Sequence, residues 1–228
     1  TSHAVNYSVD LITKHLKCKN HVLGIFIDLS KAFDTIDHSI LLAKLERYGI
    51  RGVANDLIKS YLTNRFQYTD VVGEKSDLFP IKYGVPQGSI LGPLLFLLYI
   101  NDISNSSNLG SFVTFADDTN IFVVGKTASE AYERSNSLLK NLQIYMRANK
   151  LHINMSKCCY IHFKPTQCNK SDEELILNID NYPIKKVSSA KFLGVTIDES
   201  LTWDEHIKTL KRKLNHATST LCRLRCSL

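Results

Sequence analysis

VLGIFIDL, residues 22–29, is the segment from which the architecture of this chain follows. Its run of β-branched and large apolar residues predicts a short strand that is buried on both faces. Asp28 is the one charged residue of the run and lies near its end. A buried carboxylate costs free energy unless something pairs with it, so Asp28 is the first candidate for a functional residue.

Two helices and a hairpin are expected after this strand. Asp37 is suited to cap a helix over about residues 38–48, and a second helix follows over about residues 53–64. The runs 68–72 and 78–83 flank a turn-forming segment and predict a strand hairpin. Residues 38–83 therefore form an insertion between the first strand and the elements that follow.

A second hairpin is predicted further along the chain. GVPQG at residues 84–88 breaks the pattern before an apolar helix over about residues 89–103. The apolar runs 111–116 and 119–124 then flank Asp117-Asp118. This arrangement predicts a hairpin that carries two adjacent carboxylates at its tip.

One long helix, two strands and a basic helix complete the pattern. Thr127 and Glu130 have the spacing of a capping box at the start of an amphipathic helix. Strands are predicted near residues 157–163 and 191–198, and the basic helix begins at about Trp203.

The order of elements predicts the fold class. Without the insertion at residues 38–83, the order is strand, helix, hairpin, helix, strand, which is a split βαβ pattern. The expected class is α+β, with a ferredoxin-like or RRM-like sheet covered by helices on one face. The first strand and the hairpin can then be neighbours, which brings Asp28 close to Asp117 and Asp118 although 89 residues separate Asp28 from Asp117.

Three clustered carboxylates indicate a divalent metal. The pair Asp117-Asp118 alone is explained equally well by turn chemistry, but like charges brought together repel unless a cation lies among them. Carboxylates, water and substrate phosphates are how Mg²⁺ is usually held in phosphoryl-transfer enzymes. Two such ions about 3.5–4 Å apart activate an attacking oxygen and stabilise the leaving one. The residues therefore suggest nucleotidyl transfer on nucleic acid.

The composition is that of an ordinary globular chain. The 228 residues are 44% hydrophobic and 22% charged, with a mean hydropathy of -0.10, which argues against disorder, collagen and coiled coil. The longest apolar run, residues 90–100, is about half the roughly 20 residues that a membrane-spanning helix needs. The six cysteines form no framework, and Cys222, Cys226 and His216 lack a completing ligand for zinc, so reduced thiols are expected.

The net charge of +6 is concentrated at one end of the chain. The last 21 residues contain no acidic residue, and the basic residues there are Lys208, Lys211, Arg212, Lys213, Arg223 and Arg225. Such an end suits a polyanion, because neutralised phosphates release counterions from nucleic acid. A solvated helix face is the alternative interpretation.

Three segments resemble the motifs of a known family. FIDLSKAFD at residues 26–34 is similar to motif A, GVPQGSILGP at 84–93 to motif B and FADDT at 115–119 to motif C of reverse transcriptases. The resemblance is specifically to the non-LTR retrotransposon group, which is LINE-type and jockey-like. LHIN at residues 151–154, with Lys157, resembles motif D of the same enzymes.

The resemblance extends to a primer-grip motif E, represented by FLGV at residues 192–195, and covers nearly the whole chain. It implies a polymerase palm with a partial fingers insertion and the start of a helical thumb. The implied division is fingers and palm start with motif A at 1–37, fingers insertion at 38–83, palm with motifs B to D at 84–186, primer grip at 187–200 and a truncated basic thumb at 201–228.

The resemblance also implies roles for the acids and for Lys157. Asp28, Asp117, Asp118 and the carbonyl oxygen of Leu29 would bind catalytic Mg²⁺, for which Mn²⁺ is a possible substitute. Lys157 would donate a proton to pyrophosphate or hold it electrostatically, although an ordinary exposed lysine explains the position equally well.

Nucleotide and nucleic-acid contacts are implied in the same way. Leu29, Phe33, Gln87 and Gly88 would contact the incoming nucleotide, with the Phe33 ring excluding a 2′-hydroxyl. The alternative interpretation of Phe33 is that it is a core residue. The alternative interpretation of the loop with Gln87 is that it is a simple turn. The implied primer grip comprises Phe192, Leu193 and Gly194, and the residues for nucleic-acid binding are Lys208, Lys211, Arg212 and Lys213.

Several nearby residues are given other roles. Asp34 and Asp37 are interpreted as helix-entry and hydrogen-bonding residues and not as metal ligands. Four aromatic residues are positioned to stack on template bases, but interior packing explains them at least as well, so they are not assigned to the site. They are Tyr61, Phe66, Tyr68 and Tyr83.

The resemblance implies an RNA-directed DNA polymerase whose partners are an RNA template, a DNA primer and dNTP, with no membrane. The alternatives are a catalytically inactive RNA-binding remnant and, disfavoured by Phe33 and Ala116, an RNA-dependent RNA polymerase. The expected location is intracellular, in nucleus and cytoplasm. Enzymes of this family carry fingers strands before the position of residue 1 and a longer thumb after that of residue 228, so the motifs do not decide whether this chain is active alone.

Overall fold

The computed structural model of the chain describes residues 1–165 and 175–225. Its α-helices are α1 (Ser2–Lys17), α2 (His38–Arg47), α3 (Val53–Leu62), α4 (Leu91–Ile100), α5 (Ala128–Ala148) and α6 (Asp204–Arg225). A short 3-10 helix, Ile103–Ser106, follows α4. The apolar helix expected over residues 89–103 is thus observed as α4, which is shorter at both ends.

The strands are short except for those at the centre of the molecule. They are β1 (His21–Ile27), β2 (Phe66–Gln67), β3 (Asp70–Val71), β4 (Glu74–Lys75), β5 (Phe79–Pro80), β6 (Ser111–Phe115), β7 (Asp118–Gly125), β8 (Cys159–Phe163), β9 (Asn178–Ile179), β10 (Tyr182–Pro183), β11 (Lys185–Lys186), β12 (Ser189–Phe192) and β13 (Val195–Asp198).

The main sheet has five strands in the order β11-β8-β1-β7-β6. β1 lies between β7 and β8 and is antiparallel to both, while β11 adds to the edge parallel to β8. All seven residues of β1 are buried, as the apolar run VLGIFIDL predicts. Together with α5, the strands β1, β6, β7 and β8 form the split βαβ arrangement, so the expected α+β class is confirmed.

Side chains of the sheet alternate between two hydrophobic clusters. On one face, Leu23, Ile25 and Ile27 join a large cluster that includes residues of α2, α4 and α5. On the other face, Phe26 packs with Phe122 of β7. The first face is the one that the sequence analysis expected the helices to cover.

The second face is covered as well, which the sequence analysis did not predict. Ile12 of α1 is fully buried in the cluster on this face, together with Phe192 of β12. The expected cover of one face by helices is present, and α1 adds cover on the other face. The face beside β1 needs cover because Val22 and Phe26 are apolar and point there.

Two predicted strand segments differ in detail from the structure. The hairpin expected at 68–72 and 78–83 is built of two small antiparallel pairs, β2 with β5 and β3 with β4. The single strand expected near 191–198 is instead a hairpin of β12 and β13. The chain reverses at Leu193 and Gly194, both of which have positive φ, a geometry typical of a two-residue hairpin turn.

Helix boundaries agree more closely with the capping signals. The Asp37 side chain accepts hydrogen bonds from the backbone N–H of Ser39 and of Ile40 at the start of α2. At the start of α5, Thr127 accepts from the backbone N–H of Glu130, whose carboxylate accepts from the backbone N–H of Lys126. Both helices thus begin where the cap residues predict.

A buried ionic network joins α2 to α4, to Asp102 beyond the end of α4 and to α5. Lys44 of α2 donates to the carbonyl of Tyr99 at 2.7 Å and to Asp102 at 2.6 Å. Tyr145 of α5 donates to the same Asp102 oxygen at 2.6 Å. Burial lowers the pKa of Lys44, and its pairing with Asp102 opposes that shift.

No helix within the described part of the chain combines the length and the apolar character that crossing a bilayer requires. Cys18, Cys158, Cys159 and Cys222 carry free thiols. Cys168 and Cys226, like residues 226–228 of the predicted basic end, lie outside the described residues.

Candidate active site

The structure brings the three predicted acids to one end of the sheet. The register pairs Ile27 of β1 with Thr119 of β7, so the next pair along the two strands is Asp28 and Asp118. Asp28 continues the side of β1 that carries Phe26, because side chains two residues apart share a face. Asp117 lies in the turn between β6 and β7. Residues 89 positions apart are therefore neighbours here.

The turn that presents the acids is tight. Phe115 pairs with Asp118, which leaves only Ala116 and Asp117 between the two strands. Ala116 has a φ of 53°, in the left-handed region that costs a residue with a side chain about 1 kcal/mol or more. The adjacent carboxylates are thus presented by a strained two-residue turn.

Electrostatics show that these acids act on one another. Burial raises the pKa of Asp118, and repulsion from Asp117 and Asp28 raises it further. The positive charge of Lys191 on β12 opposes that rise. Concentrated negative charge of this kind is typical of sites that bind cations.

Lys157 forms an ion pair with Asp28. Its Nζ lies 3.3 Å from Oδ2 of Asp28, an oxygen that is shielded from solvent and accepts no well-formed hydrogen bond within the described part of the chain. The Asp28 carboxylate is therefore held by charge rather than by directional bonds. The ammonium itself is largely exposed, with 66% of the Lys157 side chain accessible.

The segment that resembles motif D is bound to the segment that resembles motif A. Asn154 donates its backbone N–H to the carbonyl of Asp28 at 2.9 Å, and Ser30 donates to the carbonyl of His152 at 2.8 Å. These bonds flank an antiparallel bridge between Leu29 and Ile153. Within residues 1–165 and 175–225, no group donates a hydrogen bond to the Leu29 carbonyl oxygen.

The turn after Asp28 is also bound to the GVPQG loop. Val85 donates its backbone N–H to the carbonyl of Phe33 at 2.9 Å, and Gly84 donates to that of Ile36 at 2.8 Å. A Cβ on Gly84 would lie 2.9 Å from the Cα of Asp34, which real structures do not tolerate, and Gly84 has a φ of +84°. Gly84 therefore permits a close contact that the sequence analysis did not identify, although a glycine at the start of the loop was visible.

Gln87 and Gly88 lie on the open side of this loop. The Gln87 amide donates to Oδ1 of Asp34 at 2.8 Å, so Asp34 has the hydrogen-bonding role that the sequence analysis proposed for it. Gly88 has a φ of +79°, and a Cβ there would meet nothing within 4 Å. The backbone at Gly88 is thus open to approach by another molecule.

Phe33 lies between the core and the site. Its ring packs on Phe96 of α4 with centroids 4.8 Å apart, yet the residue is only half-buried. Part of the Phe33 ring is therefore packed in the core, as the alternative interpretation of this residue expected. The rest of the residue is accessible, and its backbone carbonyl is bound to Val85 of the GVPQG loop.

In the segment that resembles the primer grip, Phe192 is buried, whereas the turn that follows it is more exposed. Phe192 is buried and packs on Phe26 and Phe122, with ring centroids 5.9 Å and 6.2 Å away. Because its ring is buried, Phe192 holds the hairpin on the sheet, and its place in the primer grip stays a prediction. Gly194 is exposed at the turn, and Leu193 is half-buried.

The basic residues of α6 face solvent. Lys208, Lys211, Arg212 and Lys213 are all exposed. Lys208 forms an ion pair with Glu205 at 3.0 Å one turn earlier, so part of its charge is neutralised.

The aromatic residues of the insertion differ from expectation. Tyr61 packs against the large core cluster, as interior packing requires. Phe66, Tyr68 and Tyr83 are exposed by half or more of their surface, so interior packing was the wrong interpretation for these three. Lys191, near Asp118, is a further residue that the sequence analysis missed, because only the fold brings β12 beside the acids.

The chemistry of the acids fits a hard divalent cation. Carboxylate and carbonyl oxygens are the protein ligands that Mg²⁺ prefers, and the shielded Oδ2 of Asp28 lacks a directional partner. Within residues 1–165 and 175–225, no group of three or more His, Cys, Asp or Glu side chains is arranged so that it could hold a metal ion.

Comparison with known proteins gives a consistent result. The family model described as reverse transcriptase (RNA-dependent DNA polymerase) matches residues 3–197. The chain is 28% identical over 211 residues to the RNA-directed DNA polymerase from mobile element jockey of Drosophila melanogaster, covering 90% of this chain and 22% of that protein. It is 27% identical over 206 residues to the Pol polyprotein from type-1 retrotransposable element R2 of Popillia japonica, covering 82% of this chain and 32% of that protein.

Solved structures share the fold. An apo telomerase from Candida tropicalis, truncated from its C-terminal domain, superimposes with a TM-score of 0.59 at 15% identity over 89% of this chain and 38% of that one. A telomerase from Candida albicans, in complex with a fragment of telomeric RNA, superimposes with a TM-score of 0.55 at 13% identity over 85% of this chain and 32% of that one. The chain spans only 22% to 38% of the length of these proteins.

Proposed function

Because this chain belongs to the reverse transcriptase (RNA-dependent DNA polymerase) family, we propose that it joins deoxynucleotides to the 3′-hydroxyl of a DNA primer on an RNA template. The observation that supports this most directly is the adjacency of Asp28 to the turn that carries Asp117 and Asp118. These residues are far apart in the chain, and a bound cation would offset the repulsion from Asp117 and Asp28 that helps to raise the pKa of Asp118.

The acids and a carbonyl would hold the metal. Asp28, Asp117, Asp118 and the Leu29 carbonyl oxygen are the proposed ligands of Mg²⁺, for which Mn²⁺ is a possible substitute. When bound, two such ions lower the pKa of the attacking hydroxyl and stabilise charge on the leaving group. The primer oxygen would form a bond to the α-phosphorus, the bond from that phosphorus to the pyrophosphate oxygen would break with its electron pair leaving on pyrophosphate, and the hydroxyl proton would pass to water.

Lys157 is proposed to serve the leaving pyrophosphate. Its ammonium pairs with Asp28 at 3.3 Å and is largely exposed, so it is free to turn toward a phosphate that enters beside the acids. A positioned cation there would donate a proton to the pyrophosphate or hold its charge. Lys157 would thus leave the Asp28 carboxylate and pair with the pyrophosphate.

Selection of the nucleotide is proposed to rest on the GVPQG loop and the turn after Asp28. The open backbone at Gly88 and the exposed amide of Gln87 would contact the incoming dNTP. The accessible part of Phe33 would lie against the sugar and exclude a 2′-hydroxyl. The hydrogen bond between Gln87 and Asp34 supports this arrangement because it fixes the loop relative to the acids.

The primer and template are proposed to lie along the end of the sheet that carries the acids, next to the turn at Leu193 and Gly194. The turn at Leu193 and Gly194 stands beside the acids, because Phe192 anchors it to Phe26. The exposed lysines and arginine of α6 supply positive charge for the nucleic-acid backbone. Such a reaction is expected in the nucleus and cytoplasm, where RNA templates and dNTPs are found.

Primer extension tests the proposal. The chain is incubated with a DNA primer annealed to an RNA template, labelled dNTP and Mg²⁺, and Asp117→Asn is compared with Asp77→Asn, which changes a carboxylate on the exposed hairpin of the insertion. Loss of a metal-bound charge is expected to lower incorporation by about two to three orders of magnitude, while Asp77→Asn retains it. Equal incorporation by both variants would overturn the assignment of the acids.

The alternative of a catalytically inactive RNA-binding remnant predicts a different result. RNA binding would then be strong, sensitive to salt and independent of Mg²⁺, with no incorporation by the unsubstituted chain. The two possibilities are separated by measuring binding and incorporation with the same primer and template.

A further inference from the structure

Lys150 has a backbone conformation that a lysine rarely adopts. It follows the C-cap of α5 and has a φ of 52°, in the left-handed region. Its backbone N–H donates to the carbonyl of Arg147 at 3.1 Å, and that of Leu151 donates to the carbonyl of Met146 at 2.9 Å. Glycine or asparagine is usual at such a helix end, because a larger side chain is strained there. A lysine at this position therefore needs an interaction that offsets the strain.

The side chain of Lys150 makes such an interaction. Its Nζ donates a hydrogen bond to Oδ2 of Asp37 at 2.6 Å. The Asp37 side chain is only 8% exposed, and its other oxygen accepts from the backbone N–H groups of Ser39 and Ile40. A charge-assisted hydrogen bond to a shielded carboxylate stabilises more than an exposed ion pair does. The contact with Asp37 can thus hold the end of α5 in its strained conformation.

The segment that contains Lys150 is bound to both ends of the turn formed by residues 28–37. At the first end, residues 152–154 form two backbone hydrogen bonds and an antiparallel bridge with residues 28–30. At the other end, the Lys150 ammonium binds the carboxylate of Asp37. One short segment therefore sets the separation between the two ends of the turn.

The middle of this turn carries the groups that are proposed to select the nucleotide. Phe33 is half-buried, and its carbonyl accepts a hydrogen bond from Val85 of the GVPQG loop. Asp34 accepts a hydrogen bond from the side-chain amide of Gln87. Asp37 also forms an antiparallel bridge with the residue that precedes the loop. A displacement of Asp37 would therefore move the turn and the GVPQG loop relative to each other.

We infer that Lys150 is a positioning residue for nucleotide selection. By binding Asp37, it holds the turn so that Phe33 and Gln87 keep the spacing that admits a deoxyribose and excludes a 2′-hydroxyl. Lys150 acts through Asp37 and not on the reacting atoms. The inference rests on the proposed function, because it takes the incoming nucleotide as the ligand of this turn.

Nucleotide binding without chemistry tests the inference. The chain is mixed with Mg²⁺ and with an RNA template annealed to a DNA primer that ends in a dideoxynucleotide, so that no bond can form. The next template base is adenine, and dUTP or UTP is titrated, since these two differ only in the 2′-hydroxyl. The unsubstituted chain is expected to bind dUTP at least about ten-fold more tightly than UTP.

Substitutions of Lys150 are expected to change this ratio of affinities. Lys150→Met removes the charge and should lower the ratio by about five-fold or more, because a displaced ring no longer excludes the hydroxyl. Lys150→Arg keeps the charge and should retain most of the ratio. Arg147→Met is the matched control, since it breaks an ion pair with Asp180 near the same end of α5 and should leave the ratio unchanged.

A glycine variant separates positioning from stability. Lys150→Gly loses the ion pair but relieves the left-handed strain, so its denaturation midpoint should lie above that of Lys150→Met. Its ratio of dUTP to UTP affinity should nevertheless be as low as that of Lys150→Met. If Lys150→Gly instead keeps the ratio of the unsubstituted chain, Lys150 has only a structural role and the inference is overturned.

The remaining outcomes distinguish this inference from the proposed function. An unchanged ratio in Lys150→Met, an equal loss in Arg147→Met, or no preference for dUTP in the unsubstituted chain would overturn the inference. Primer extension from a 3′-hydroxyl is measured in parallel. The expected ratios without extension would overturn only the proposed function, whereas extension with an unchanged ratio in Lys150→Met would overturn only the role of Lys150.

Discussion

Two glycines of the GVPQG loop have positive φ for different reasons. At Gly84, the backbone of Asp34 lies so close that a Cβ would be 2.9 Å from its Cα and its carbonyl oxygen. At Gly88, nothing lies within 4 Å of the Cβ position. The first glycine therefore joins two parts of the protein, whereas the second leaves space for a molecule outside it.

Alanine substitutions are expected to separate these roles. Gly84→Ala combines left-handed strain with a backbone clash, and should lower the free energy of unfolding by about 2–4 kcal/mol. Gly88→Ala meets strain alone and should cost about 1–2 kcal/mol. Chemical denaturation of both variants measures the difference, and equal losses would contradict the close contact at Gly84.

At the scale of elements, the start of α2 links the insertion to the turn after Asp28. Asp37 caps the helix and also accepts a hydrogen bond from the Lys150 ammonium at 2.6 Å. Burial alone would raise the pKa of Asp37, but the hydrogen bonds from Lys150, Ser39 and Ile40 outweigh it and hold the pKa well below its ordinary value of 3.8. One carboxylate thus stabilises a helix and a tertiary contact together.

The contribution of Asp37 is expected to depend on pH. A carboxylate whose pKa is lowered by folding stabilises the fold above its unfolded pKa of 3.8 and loses that contribution as the pH falls toward the folded value. Asp37→Asn keeps an acceptor without charge, so it should cost about 1–2 kcal/mol at pH 7, and the difference should shrink below about pH 4.

Denaturation of Asp37→Asn and the unsubstituted chain over a pH series provides the measurement. Asp77→Asn is the control, because that carboxylate lies on the exposed hairpin of the insertion. A difference between Asp37→Asn and the unsubstituted chain that stayed constant down to strongly acidic pH would contradict the proposed charge on Asp37.

At the scale of the whole molecule, charge is divided between the sheet and α6. The acids repel one another at one end of the sheet, while α6 carries exposed basic residues without acidic neighbours beyond its first turn. This separation suits a nucleic acid: the acids would hold the cations that act on its reacting end, and the basic side chains of α6 would contact its phosphate backbone.

Binding of a primer and template duplex is therefore expected to weaken with salt. Lys211→Gln and Arg212→Gln should each reduce the slope of log affinity against log salt by about 0.7–0.9, the value expected for one released counterion contact. Lys208→Gln should reduce it less, because Glu205 already pairs with this lysine at 3.0 Å. Titrations at several salt concentrations measure the slopes, and an unchanged slope in all three variants would exclude α6 from the interface.

Local patterns in the sequence determined the elements and the identity of the candidate site residues. The apolar run at residues 22–29 predicted the central strand, the caps Asp37 and Thr127 predicted helix starts, and Asp117-Asp118 marked a turn. These features depend on hydrogen bonds and periodicities within a few residues, so they are visible in a linear chain. The motifs also predicted the family, which the comparisons confirmed.

Exposure and long-range neighbours were decided only by the tertiary structure. Phe66 and Phe192 are both aromatic residues in short strands, yet one is exposed and the other is buried against Phe26. The proximity of Lys191 to Asp118 and the contact at Gly84 likewise depend on how distant segments pack. A side chain is buried or exposed according to which other elements cover it, and that depends on register and packing across the whole chain, which spacing along the sequence does not contain.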